Sequence, residues 1–363
     1  MKIHSITLHG AHNYGAMLQA LALKNYLESQ GHEVSVIDFL PSAVIHNNHR
    51  IKFSKNPKTL VRSGVAALSW LPWRKRFRAF ESFKISNMNL TRHYETLKDL
   101  KAAPPESDAY ICGSDQIWNP ERRFNPAYFL NFGRSSTRRI SYAASLGVDK
   151  ASEKTLEELG TLLDRFDAVS VRETSGAEIV SSTGKNAEVV LDPTLLLNKE
   201  HWTKIAAPYT GTGKYILTYC LEESEEFNSV LKRYSTHTGI PVVHIAGSIV
   251  NRTKPVDRVI KDAGPLEFLG LFLNAEFIFT NSFHGTAFAL NLGRPLVGIR
   301  HSKRNARMTT LLNSVGWSDS QVGGETPVKE IEEIARERAA AVNDSVLDEA
   351  RLPSFEFLKR SLG

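Results

Sequence analysis

The residues best suited to chemistry lie in Thr280-Asn-Ser-Phe-His-Gly-Thr286. His284 has the side-chain type that gains and loses a proton near neutrality. Asn281, Ser282 and Thr286 offer hydrogen-bonding side chains beside it, and Gly285 lets backbone approach a ligand closely. Phe277 to Phe279 are apolar and β-favouring. Gly285 to Leu292 carries small and apolar residues at helical spacing, Gly293 stops that helix, and Pro295 to Ile299 is a second buried run. His284 is therefore expected just past the carboxyl end of a strand, where a helix begins. Open parallel sheets bind ligands at that edge, and helix N-termini attract anions through free N–H groups. A lone histidine is more often structural than catalytic, but this junction favours a functional one.

Other polar residues fall at similar junctions. Phe166 to Val171 reads as a strand with Arg172-Glu173 at its carboxyl end. Asp108 to Gly113 reads as a strand that opens into Ser114, Asp115 and Gln116. Asp115 suits either a base or a cap of that turn. Ile3 to Leu8 precedes a glycine-bearing loop with Asn13, Tyr14 and Gly15, which lacks the G-x-G-x-x-G spacing of a dinucleotide site. Arg300, Lys303, Arg304 and Arg307 follow another strand and read equally as an anion cradle or a solvated helix start.

These junctions require a chain that alternates strands and helices. Two successive halves of that kind predict α/β architecture: two doubly wound, Rossmann-like domains facing a cleft. The expected boundaries are 1–205 and 206–344, with Ala206 to Gly213 as the link and a helix over 345–363 packing back on the first domain. A length of 363 residues suits two domains, and 42% hydrophobic content argues against disorder. Cys112 and Cys220 sit in separate apolar runs and read as buried thiols, with no zinc spacing and so no metal site expected. The N-terminus lacks an apolar signal region, and no apolar run approaches the length of a membrane span, so a cytoplasmic location is expected. A net charge of +6 suits anionic partners, but no nucleic-acid module accompanies it. Within residues 68–84, Trp70, Trp73, Phe77 and Phe80 recur at helical spacing among Arg74, Lys75, Arg76 and Arg78. That pattern fits a peripheral helix on anionic lipid, or a helix packed on its own domain with a solvated basic face.

Several segments together resemble the polysaccharide pyruvyl transferase family. They are Asn13-Tyr-Gly-Ala-Met-Leu-Gln19, Gly113-Ser-Asp-Gln-Ile-Trp118, Ser141-Tyr-Ala-Ala-Ser-Leu-Gly147, Ser170-Val-Arg-Glu173, Val190-Leu-Asp-Pro-Thr-Leu-Leu196 and Thr280-Asn-Ser-Phe-His-Gly285. The resemblance implies a mostly bacterial family with a two-lobed fold similar to glycosyltransferase type B. It further implies transfer of the pyruvyl group of phosphoenolpyruvate to sugar hydroxyls in exopolysaccharide biosynthesis, with no other cofactor. The acceptor would be a lipid-linked or nucleotide-linked saccharide, met at the inner face of the cytoplasmic membrane. His284 would be the catalytic residue and Arg172 would bind the donor, with Asn281, Ser282, Gly285 and Thr286 around it. Many members carry Arg where this chain has Ser282, so Arg300, Lys303 and Arg304 become candidates for the second cation. Asn13, Tyr14, Gly15, Ser114, Asp115 and Gln116 would face the acceptor. The competing expectations are a two-lobed glycosyltransferase using a nucleotide sugar, and a non-catalytic sugar-binding relative.

Overall fold

The computed structural model describes residues 1–41, 70–222, 224–246, 256–299, 306–317, 322–341 and 344–363. Buried β-favouring runs alternate with helices and pair into two sheets. The first holds β1 (Lys2–Ile6), β2 (Glu33–Phe39), β3 (Leu90–Tyr94), β4 (Ala109–Gly113), β5 (Arg138–Ala144), β6 (Ala168–Val171) and β7 (Glu188–Val189), in the order β3-β2-β1-β4-β5-β6-β7. Between these strands run α1 (Tyr14–Ser29), α2 (Trp70–Asn87), α3 (Leu97–Ala102), α4 (Glu153–Leu163) and α5 (Thr174–Ser181). The helix α6 (Lys199–Ile205) follows. The second sheet holds β8 (Ile216–Tyr219), β9 (Val242–Ile245), β10 (Arg258–Ile260), β11 (Phe277–Thr280) and β12 (Leu296–Gly298), in the order β10-β9-β8-β11-β12. With it come α7 (Glu225–Thr238), α8 (Pro265–Asn274), α9 (Phe283–Asn291), α10 (Ala306–Ser314) and α11 (Val328–Ala341), and α12 (Asp344–Leu362) closes the chain. Every pairing between these strands is parallel.

Strand order reverses between β1 and β4 in the first sheet and between β8 and β11 in the second. Diverging loops open a crevice at such points, at the carboxyl ends of the strands. The loops after β1, β4 and β11, with the first turns of α1 and α9, carry Asn13 to Gly15, Ser114 to Gln116 and His284, so topology alone directs these residues to the two crevices.

The two lobes meet through an apolar seam. Tyr14 of α1 stacks on Phe268 of α8 with ring centroids 4.6 Å apart, and its hydroxyl donates to the Ala263 carbonyl at 2.9 Å. Trp202 of α6 packs edge-on against Phe288 of α9. Helix α6 thus touches the second lobe through Trp202, while its His201 ring bonds to Asn25 of α1 in the first at 3.2 Å. The last helix returns to the first lobe. Its Phe357, Leu358 and Leu362 pack with Ile3, Leu23, Leu27 and Val34.

For residues 70–84 the lipid-facing expectation fails at two central side chains, while Leu68 and Ser69 lie outside the described residues. Phe80 is fully buried. The Arg76 guanidinium is buried too, and donates to the carbonyls of Ala246 (2.6 Å) and His12 (3.3 Å), one in each lobe. Lys75 pairs with Asp262 at 2.7 Å. A cation with two internal carbonyl partners does not reach a membrane surface, so α2 works as a strut between the lobes. No described helix is long and apolar enough to cross a membrane.

Candidate active site

The site is built around a carboxylate inside an apolar run. Asp192 follows Val189-Val-Leu191 and is 1% exposed. A buried charge persists only where it is paired and hydrogen-bonded. Its Oδ1 accepts from the Thr194 N–H (3.0 Å) and hydroxyl (2.8 Å), which fixes the carboxylate plane. Its Oδ2 accepts from Ser114 Oγ at 2.9 Å and from Arg172 Nη1, and lies 3.6 Å from His284 Nε2. Groups from the ends of β4 and β6 and from the first turn of α9 thus converge on one oxygen, across both lobes. Burial pushes the Asp192 carboxyl up most strongly, but Arg172, His284 and the Thr194 N–H together outweigh it, leaving it well below the usual carboxylate range.

Arg172 is 3% exposed and lies over the Phe283 ring, 4.2 Å from its centroid. Burial works against its charge, but Asp192, then Asp115 and Glu173, more than offset this and hold its pKa above the ordinary value. Its Nη1 is taken by Asp192, and Asp115 stands 3.9 Å from Nη2 as a long ion pair. Nε and Nη2 have no hydrogen-bond partner. A buried guanidinium with two unfilled donors is a ready seat for an anion. Arg172 and Asp192 also line a cavity of about 200 Å³ together with Phe283, Thr310, Pro353 and Ser354. Glu173 turns away from this seat. Its Oε1 accepts from Ser145 Oγ and from the N–H groups of Leu146 and Gly147, which ties down the loop after β5.

His284 is set by the turn that starts α9. Ser282 caps that helix, accepting from the Gly285 N–H at 3.4 Å, so it serves the backbone. Gly285 sits where a Cβ would collide with Thr280 Oγ1, and so allows the tight strand-to-helix turn. Two residues expected to grip a donor are otherwise engaged. The Asn281 amide accepts from the Leu221 N–H (2.9 Å) and donates to the Glu222 carbonyl (2.6 Å), and the Thr286 hydroxyl donates to the Met308 sulfur at 3.1 Å.

The acceptor set divides in the same way. Asn13 is exposed and caps α1 by accepting from the Ala16 N–H at 3.1 Å. Tyr14 is buried in the seam between the lobes and cannot face a ligand, because its ring and hydroxyl are both occupied there. Gly15 lies against the His284 ring. Ser114 is spent on Asp192, and the Gln116 amide, turned so that its oxygen and nitrogen exchange places, accepts from both Arg307 guanidinium nitrogens at 3.0 and 3.1 Å. Asp115 adopts a left-handed backbone (φ 67°) at the turn after β4 and accepts from the Gln116 N–H at 2.8 Å, as a turn cap does. Arg300, Lys303 and Arg304 lie outside the described residues, so the cradle reading of that run is not placed. Asp192 was not singled out from sequence as a site residue. The available signal was an acidic residue in the run Val-Val-Leu-Asp-Pro-Thr-Leu-Leu-Leu, where burial demands a cation. Among the described residues no group of His, Cys, Asp and Glu is placed to hold a metal ion.

A family model for polysaccharide pyruvyl transferases matches residues 13–303, most of the chain and all the junctions just described. The chain belongs to the polysaccharide pyruvyl transferase family. No curated protein matches its sequence. Among solved structures it is similar to the UDP-GlcNAc 2-epimerase of Neisseria meningitidis bound to UDP-GlcNAc, at 12% identity and TM-score 0.50, over 99% of this chain and 100% of that one. The Methanocaldococcus jannaschii UDP-GlcNAc 2-epimerase in complex with UDP-GlcNAc and UDP aligns at 14% identity and TM-score 0.51, over 98% and 100%. The glycotransferase of kitacinnamycin aligns at 13% identity and TM-score 0.50, over 100% and 99%. At these identities the likeness is one of fold. This member of the pyruvyl transferase family thus has the two-lobed architecture of glycosyltransferase type B.

Proposed function

We propose that this pyruvyl transferase family member moves the pyruvyl group of phosphoenolpyruvate onto two hydroxyls of a sugar in a surface-polysaccharide or glycolipid precursor. The observation that carries the reading is the buried Arg172, with Nε and Nη2 unfilled, held on Asp192 beside His284. Phosphoenolpyruvate carries a carboxylate and a phosphate, and a planar guanidinium fork suits either. Arg172 holds one of these groups, and the first turn of α9 faces the same crevice. His284 delivers a proton to the methylene carbon of the donor. C2 becomes oxocarbenium-like and one sugar hydroxyl adds to it. Phosphate then departs with the C–O bond electrons, and a neighbouring hydroxyl closes the ketal. One hydroxyl proton thus ends on the new methyl and the other on phosphate, so a single acid/base that gives and retakes protons suffices. Asp115 at the crevice rim is the further candidate base for the sugar hydroxyl.

The first lobe would take the acceptor and the second the donor, with Arg172 reaching the donor from the end of β6 in the first lobe. The acceptor would be lipid-linked or nucleotide-linked and met at the inner membrane face. The decisive experiment incubates the enzyme with phosphoenolpyruvate and a panel of lipid-linked and nucleotide-linked saccharides, and weighs the saccharides by mass spectrometry. A gain of the pyruvyl mass with release of inorganic phosphate supports the reading. Transfer from a UDP-sugar with release of nucleotide, and no use of phosphoenolpyruvate, would replace it with glycosyl transfer.

A further inference from the structure

The His284 ring has two unlike edges. Nε2 is buried, has no hydrogen-bond partner and points to Asp192 Oδ2 at 3.6 Å. The side chain is nevertheless 11% exposed, so the ring is not sealed off as Nε2 is. The other edge faces Gly15, in the first turn of α1 and the opposite lobe. A Cβ on residue 15 would lie well inside contact distance of Nδ1, Cγ and Cε1 of His284. Gly15 needs no unusual backbone, since α1 starts in an ordinary way with Asn13 as its cap. Its missing side chain is therefore explained by the histidine.

We propose that Nδ1 of His284 is the proton-transferring atom, with Asp192 and Gly15 as its positioning residues. This rests on the acid/base role given to His284 above. A small closing of the 3.6 Å gap lets Asp192 accept Nε2–H, which would place the lone pair of the neutral ring on Nδ1. Histidines are commonly oriented by a carboxylate on the non-reacting nitrogen, and long contacts in an empty site tighten when substrate binds. Gly15 packs against the Nδ1 edge without a side chain that would push the ring off Asp192. Because Gly15 and His284 belong to different lobes, this geometry exists when the lobes sit as described.

Two measurements on the full chain test the idea without an acceptor. The first is nitrogen NMR of histidine-labelled protein, with the His284 signal assigned by its loss in His284→Gln. The neutral ring should carry its proton on Nε2, and a proton on Nδ1 would overturn the proposal in the wild type, with no variant needed. The second is site-resolved carbethoxylation by diethyl pyrocarbonate, read by peptide mass spectrometry. Gly15→Ala should label His284 several-fold more slowly, while exposed His93 labels as in the wild type; equal or faster labelling of His284 would sink the idea. Phosphoenolpyruvate should protect His284 in the wild type. If the tautomer and Gly15→Ala results hold without such protection, the donor assignment fails and the ring geometry stands.

Discussion

Arg139 and Arg172 are both buried arginines at the ends of neighbouring strands, and they are satisfied in opposite ways. The Arg139 guanidinium spends every nitrogen on backbone carbonyls, reaching Leu130, Phe132, Arg134, Ser135 and Thr137. It stitches the loop 130–137 to the start of β5 and has nothing left to offer. Arg172 gives Nη1 to a carboxylate and keeps Nε and Nη2 without a hydrogen bond. Both side chains are almost closed off from solvent, so accessibility does not separate structure from function here. The unfilled donors do, because an unpaired buried N–H costs free energy in the empty protein and returns it when an anion arrives.

The sharpest test of the functional side is His284→Ala. It should lower turnover by about a thousandfold with the thermal midpoint little changed, since general acid–base catalysis is worth that order. Wild-type turnover in this variant would remove the assignment. Next, one substitution made at both arginines should give opposite results. Arg172→Lys keeps a cation for Asp192 but loses the fork, and should weaken phosphoenolpyruvate binding about tenfold to a hundredfold in calorimetry with a nearly native melt. Arg139→Lys should leave that affinity intact and cost about 2–4 kcal/mol in denaturant unfolding, because a lysine cannot satisfy five dispersed carbonyls. If both variants shift the same quantity, the distinction drawn between them is wrong.

The smallest effect is expected at the strut. Glu81 of α2 is held down to about 2 by its hydrogen bond from His12, working against burial, with Lys84 adding to it. A depressed carboxylate contributes stability above its unfolded value, near 4.5, and loses it as pH falls toward the folded value. Between about pH 5 and about pH 2 the stability gap between wild type and Glu81→Gln should therefore close. A gap that widens over that acid range would contradict the ion pair.

Much of this molecule is legible in its sequence, for physical reasons that differ by place. The His284 junction was readable because a strand, a glycine-bearing turn and a helix each leave a local pattern, and the topology does the rest. The two-sheet architecture followed from the same alternation. β3 and β10 were not seen, because Leu-Thr-Arg-His-Tyr and Arg-Val-Ile lack an apolar run. As edge strands, they bury little. The role of Tyr14 was also hidden, since a tyrosine beside a glycine loop looks the same whether its hydroxyl meets a sugar or a carbonyl of the opposite lobe. Asp192 was visible as a turn residue, but its partners come from three distant segments, and no spacing rule joins 114, 172, 192 and 284. Helix α2 shows the converse case. Its aromatic and basic pattern allows a lipid-facing or a domain-packed helix, and Arg76 and Phe80 turn inward to hold the lobes.

The return of α12 to the first sheet also orders the birth of the protein. Ile3, Leu23, Leu27 and Val34 are made first, yet the surface that covers them comes from Phe357, Leu358 and Leu362. At about 5–20 residues per second, a nascent first lobe would wait on the order of tens of seconds with that apolar face uncovered. The lobe that synthesis completes first is thus among the last to be sealed, and its exposed face during that interval is a natural place for a chaperone to bind or for aggregation to begin.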